Sequence, residues 1–312
     1  MIPFRYHLVS VAAFFLALAV GVVLGSASLS ERVLSSVSDE RSSLKQQAAE
    51  LRQENESLRG ELAGAEQYGD AVGPMAVRGR LNERRVVVIS SSDVAEQERR
   101  AMRESLERAG ATVTGEVRMT DRIADPGQVD ELRRTVTGLL PAGVQLPDTA
   151  DPGTLLGGLL GPLTMLDPQT GQPQVSSPES VSAVRGLADG GFARLPDDIE
   201  PAQLAVVLTG GNADGNNPGI GASTVARLAA QVDATGAGAV LAGSTGSAAG
   251  NEPVGMARTD PAVAGKVSTV DNADTAFGRV SVVLALAEQW ERRSGHYGVA
   301  GNAQDVVPGA RE

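Results

Sequence analysis

From Leu8 to Gly25 the chain reads LVSVAAFFLALAVGVVLG, 18 residues that are apolar or small except for Ser10, with Arg5 ahead of them. At the rise of an α-helix this run spans roughly 27 Å, enough for a thin hydrocarbon core, and extension toward Leu29 allows for tilt. A cleaved signal peptide is the alternative, because Gly25-Ser26-Ala27 offers the small residues that a signal peptidase reads. The length of the run and its single flanking arginine favour a retained anchor over residues 1–30. Arg5 on the short N-terminal side orients the N-terminus toward the cytoplasm and the bulk of the chain outside it.

Residues 31–68 carry heptads. With Leu34 at an a position, Arg41, Ala48, Asn55 and Leu62 follow at a, and Val37, Leu44, Leu51 and Leu58 fall at d. In a parallel register the pairs Glu40 with Lys45 and Glu54 with Arg59 attract, Gln47 with Arg52 is neutral, and Asn55 favours in-register pairing. The expectation is a coiled coil holding a parallel homodimer or higher oligomer. An amphipathic stalk folded onto its own globular part is the other reading. Gly60, Gly64, Gly69 and Gly73-Pro74 predict that the helix ends and a hinge covers residues 69–83.

An α/β rhythm begins at residue 84 and predicts a doubly wound, mainly parallel sheet domain over 84–298. Strands are expected at Arg85–Ile89, Ala111–Met119, Leu204–Thr209, Ala239–Ala242 and Val267–Val270. Between them lie helices at Val94–Ala109, Pro126–Leu140, Glu179–Gly190, Ala222–Thr235 and Asp274–Arg293. Asp93 is placed as the first helix's N-terminal signal, and Phe277, Val280, Leu284 and Ala287 as one apolar face of the last helix. The Pro- and Gly-rich stretch 141–178 reads as an insertion or lid, and 299–312 as a disordered tail.

Ligands of such sheets bind beyond the carboxyl ends of the strands. Three loops there have suitable chemistry: Ser91 and Asp93 after the first strand, Gly210, Gly211, Asn212 and Asp214 after the third, and Ser244 and Thr245 after the fourth. The glycine-rich loop could offer backbone N–H groups to an anion, although no Walker lysine follows and no dinucleotide fingerprint is complete. Ordinary turn chemistry is the competing account. Gly243-Ser244-Thr245-Gly246-Ser247 fails the Gly-x-Ser-x-Gly elbow and the only late histidine is His296, so no catalytic activity is expected.

Composition narrows the field further. The absence of cysteine removes disulfides, thiolate metal sites and cysteine nucleophiles, and a net charge of -11 makes nucleic-acid binding improbable. Lysine occurs only at Lys45 and Lys266 beside abundant Arg, Ala, Gly and Val, a pattern of high-GC actinobacteria.

The stretch VSTVDNADTAFGR at 267–279, then VVLALAEQ at 282–289 and GHYG at 295–298, resembles the actinobacterial copper transporter family typified by the mycobacterial protein MctB. Tyr6-His7, the segment from Ala17 to Gly25, and Leu208-Thr209-Gly210-Gly211 resemble it too. The resemblance implies a copper efflux component of the outer envelope, pore-forming or accessory, with copper as a transported ion and no resident cofactor. The residues fit a pore poorly, since aromatics are 3% of the chain and its strands read as the buried α/β type. Soft ligands are thin, with Met119, Met165, Met256 and His296 as weak metal candidates. A non-catalytic scaffold that holds an envelope partner above the membrane is the alternative.

Overall fold

The computed structural model describes residues 4–149, 151–194, 199–211 and 218–309. The chain divides into two units, Met1–Ala65 and Glu66–Glu312. The first is helical throughout its described part and belongs to one long helix, α1 (Phe4–Val77). Within it Tyr6–Leu24 forms a 19-residue stretch of mean hydropathy 2.5, entirely exposed and long and apolar enough to cross a membrane. Further along, Leu44, Leu51, Leu58 and Leu62 are 59%, 64%, 56% and 63% exposed, an apolar stripe at heptad spacing.

Instead of ending at its glycines, α1 continues through all four and through Pro74 to Val77, which corrects the hinge expected at 69–83. The reason lies in packing. A Cβ on Gly69 would come within 2.9 Å of the Ala276 Cβ, and one on Gly73 within 2.9 Å of Val280 Cγ2. These glycines admit a neighbouring helix, and that contact offsets their intrinsic cost of about 1 kcal/mol each.

The second unit is built on a seven-stranded sheet. Its strands are β1 (Arg85–Ser90), β2 (Thr112–Met119), β3 (Ala193–Arg194), β4 (Leu204–Thr209), β5 (Gly238–Gly243), β6 (Ser268–Val270) and β7 (His296–Tyr297), in the order β3-β2-β1-β4-β5-β6-β7. All neighbours run parallel except β2 and β3. The sheet is therefore mixed, and it reverses its winding between β1 and β4. The five expected strands are present. The two added ones are two-residue edges, too short for any periodicity to reveal.

Alternation along β1 sends Val87 and Ile89 into one core and Val86 and Val88 into the other. The second core is closed by α2 (Glu96–Arg108) and α8 (Ala276–Trp290), with Val77 from the end of α1. The first takes side chains from α3 (Val129–Gly138), α4 (Pro152–Thr164), α5 (Ser177–Asp189), α6 (Pro218–Thr235) and α7 (Pro253–Thr259).

Three further expectations change. The stretch read as a lid contains α4, whose Leu156, Leu159, Leu160 and Leu163 are core residues. Its Gly153 and Gly157 let it lie directly on α6, since a Cβ on either would come within 2.1 Å of Thr224 O and 2.7 Å of Gln231 Cβ respectively. On α8 the buried residues are chiefly Val282, Val283, Ala285 and Leu286, while Phe277 is 42% exposed. A helix apolar over most of its circumference cannot be phased from its own sequence.

The third change concerns the tail, whose described part is tied down. Gly298 N–H donates to Asp305 O at 3.0 Å and Gln304 N–H to His296 O at 2.7 Å. Asn302 meets Arg258 and the carbonyl of Ala248.

Candidate functional site

Open parallel sheets hold ligands in the crevice beyond the carboxyl ends of their strands, which here is bounded by the loops after β1 and β4, at the winding reversal, and after β5 and β6 beside it. Asp93 does not cap α2, whose N-cap is Ala95 with no side-chain bond. Its carboxylate instead accepts from the Ser91 hydroxyl and, through Oδ2, from Gly210 N–H at 3.0 Å. That bond joins the loop after β1 to the loop after β4. Gly211 lies against the loop after β5, where a Cβ would come within 2.3 Å of Thr245 O.

Ser244 Oγ donates to Glu98 on α2 at 3.2 Å, and Thr245 donates to Asp274 from its N–H at 2.8 Å and from Oγ1 at 3.0 Å. Ser91, Asp93, Gly210, Gly211, Ser244 and Thr245 are thus brought to one edge of the sheet, whereas Asn212 and Asp214 lie outside the described residues. Sequence reasoning missed Glu98 as a partner, because it sits among ordinary helix charges.

Among the described residues, three buried polar atoms here have no hydrogen-bond partner: Ser90 Oγ at the end of β1, Ser247 Oγ after β5, and Asn272 Oδ1 after β6. The register aligns Ser90 with Leu208, Leu208 with Ala242, and Ala242 with Val270. Two residues further along, Gly210, Ser244 and Asn272 therefore fall on the same face as Ser90. The edge is a hydroxyl- and carboxylate-lined surface that can hold water or a polar ligand. Ser91 and Ser244 pair with carboxylates or carbonyls, and His296 lies away on β7, so among the described residues these two hydroxyls meet no imidazole base.

The soft-ligand candidates are dispersed. Met119 on β2 and Met165 after α4 are buried in the first core, and Met256 on α7 packs against it. His296 places Nδ1 3.1 Å from Thr269 Oγ1, and burial followed by the nearby Arg258 charge lowers its pKa. Five strand spacings separate β2 from β7, about 24 Å, so Met119 and His296 cannot share an ion. Among the described residues no three His, Cys, Asp or Glu side chains cluster in a way that could hold a metal.

One apolar N-terminal helix, followed by a mixed α/β sheet domain with polar loops gathered at its carboxyl edge, defines a class of doubly wound proteins that carry an apolar N-terminal helix. Comparison with known proteins narrows this. The family described as "Copper transport outer membrane protein, MctB" matches residues 1–308, and the chain belongs to it. The protein named copper transporter MctB of Mycobacterium tuberculosis is 35% identical over 98% of this chain and 99% of its own length. That of Mycobacterium leprae is 35% identical over the same shares.

Proposed function

We propose that this chain is a copper transport component of the bacterial cell envelope, held in a membrane by Tyr6–Leu24 with its α/β unit on the extracytoplasmic side. The observation that carries the reading is the end-to-end match to proteins named copper transporter MctB, in which the apolar helix, the heptads and the sheet domain are all covered. The family's description as an outer membrane protein supports an envelope location.

Its role in this reading is accessory. Met119 and Met165 are committed to the core, and the strands described form an open sheet covered by helices on both faces. The heptads from Leu34 to Leu62 pair two copies in parallel and act as a spacer of roughly 43 Å. Support comes from the exposed stripe of Leu44, Leu51, Leu58 and Leu62 and from the attractive pairs flanking it. Each head would then be presented at a fixed height to an envelope partner.

The test is complementation in an actinobacterial strain lacking its own family member, with cell-associated copper as the readout. The full chain should restore low copper, and a chain without residues 1–30 should not. Restoration by the anchorless chain would overturn the tethered reading. Copper conduction by the purified full chain in liposomes would replace the accessory role with a pore.

A further inference from the structure

A second concave site lies on the opposite side of the sheet's first core from α2 and α8, with a volume of about 310 Å³. Its walls are the N-terminal end of α4, the middle of α6 and the segment after α7. Asp151, Arg227, Gln231, Asp260 and Lys266 line it, over a small apolar floor that includes Ala230 and Val263.

The uncommitted hydrogen-bonding capacity is one-sided. Asp151 Oδ1 accepts from Thr154 N–H at 2.7 Å and Thr154 Oγ1 at 2.8 Å, and its Oδ2 accepts from Arg227 at 2.9 Å. Asp260 Oδ1 accepts from Ala262 N–H at 3.0 Å, and its Oδ2 accepts from Arg227 Nε at 3.2 Å. Both carboxylates are occupied. Arg227 spends Nε and Nη1 on them, and among the described residues the N–H groups of Nη2 have no partner; its side chain is 42% exposed. Lys266 is exposed, and neither its ammonium nor the Gln231 side chain makes a hydrogen bond among the described residues.

The free groups are thus the donors of a guanidinium and an ammonium, together with a carboxamide. Arg227 is held in place by two carboxylates, so its remaining donors are fixed in direction before any ligand arrives, which lowers the ordering cost of binding. The volume suits a small organic molecule. We propose that this groove binds a small organic carboxylate, with its carboxylate group on Arg227 Nη2 and Lys266 and its carbon skeleton against Ala230 and Val263.

The experiment is isothermal titration of the detergent-solubilised full chain with acetate, succinate and citrate in turn, with inorganic phosphate and putrescine for comparison. One of the carboxylates should bind saturably at one site per chain. Lys266→Gln should weaken it about tenfold through loss of a charge-assisted bond. Arg227→Lys retains a cation between Asp151 and Asp260 and should also weaken binding, with the circular dichroism of the fold unchanged. No saturable binding of any carboxylate at about 10 mM, where even the weakest specific complexes register, would overturn the proposal. So would carboxylate binding that neither substitution alters, or a preference for phosphate or putrescine.

Discussion

Both carboxylate oxygens of Glu66, near the end of α1, accept the backbone N–H of Ala276, the first residue of α8, at 2.7 and 2.9 Å. The two residues are 210 positions apart in the chain, so a helix N-terminus is capped by a side chain from a distant helix. Arg279, one turn into α8, closes the arrangement by meeting Glu66 at 3.2 Å and Asp70 at 3.1 Å. The positive end of α8 and the anionic face of α1 are complementary, which adds to the hydrogen bonds.

Removing that cap should loosen the end of α1 from the sheet domain. Glu66→Ala is expected to cost about 1–2 kcal/mol, the range of a lost cap, and Glu66→Gln less, because an amide oxygen can still accept from Ala276. Urea denaturation followed by circular dichroism checks both. Equal stability of Glu66→Ala and the parent would show that α1 holds its position without this bond.

Arg258 and Asp271 form the most deeply buried ion pair among the described residues, 3% and 1% exposed and 2.8 Å apart. Arg258 also donates to Thr269 Oγ1, Asn302 Oδ1 and Tyr297 O, and Asp271 accepts from Val299 N–H at 2.8 Å. The pair therefore ties α7, β6, β7 and the tail together. Arg258→Met should cost about 3–5 kcal/mol by leaving Asp271 buried and unpaired. The double change Arg258→Met with Asp271→Leu should recover part of that loss. Thermal melts of the single and double variants provide the comparison.

Asp233 gives the stability a pH dependence of defined sign. Burial pushes its pKa up from 3.8 to about 6, against the opposing bond from Ala239 N–H at 2.7 Å. The folded state therefore holds the proton more tightly than the unfolded state. The resulting stabilisation is full below the ordinary carboxyl pKa and is lost as pH rises through about 6. Asp233→Asn keeps an acceptor for Ala239 but cannot ionise. The stability of the parent relative to this variant should fall by about 1–3 kcal/mol between pH 4 and pH 7. His296 titrates in both proteins, so taking the difference removes its contribution. A difference independent of pH would mean that Asp233 is ionised as easily folded as unfolded.

The exposed leucine stripe predicts association. In a fragment beginning at Arg32, Leu51→Asp with Leu58→Asp would put charges into the proposed seam, at a cost of several kcal/mol for each buried unpaired ion. Light scattering should report a dimer for the parent fragment and a monomer for the variant, with the sheet domain still folded by near-ultraviolet circular dichroism. A parent fragment that is monomeric at tens of micromolar removes the parallel-dimer proposal.

Legibility followed the range of the interactions. β4 was readable to the residue because Leu204–Thr209 is a continuous apolar, β-branched run. β3 and β7 are only two residues each and owe their pairing to neighbours. The crevice could be located from topology alone, which put Ser91, Asp93, Gly210, Gly211, Ser244 and Thr245 at one edge. Its cross-links could not, because Glu98 reaches Ser244 across 146 positions. α4 read as a lid because its glycines and prolines signal a loop locally, and only contact with α6 turns those glycines into packing positions.

The glycines of α1 give the sharpest test of this distinction. Gly60 and Gly64 have nothing within 4 Å of a would-be Cβ, whereas Gly69 and Gly73 face Ala276 and Val280 at 2.9 Å. Alanine at Gly60 or Gly64 should gain the intrinsic helix preference of about 1 kcal/mol without a steric cost. Alanine at Gly69 or Gly73 has the same preference but must push α8 away from the Glu66 cap, and overpacking of this kind costs typically about 1–3 kcal/mol. Helix content by circular dichroism should therefore rise or hold for the first pair, and the urea midpoint of the sheet domain should fall for the second. If all four alanines stabilise alike, the close approach of α1 and α8 is not what keeps glycine at 69 and 73.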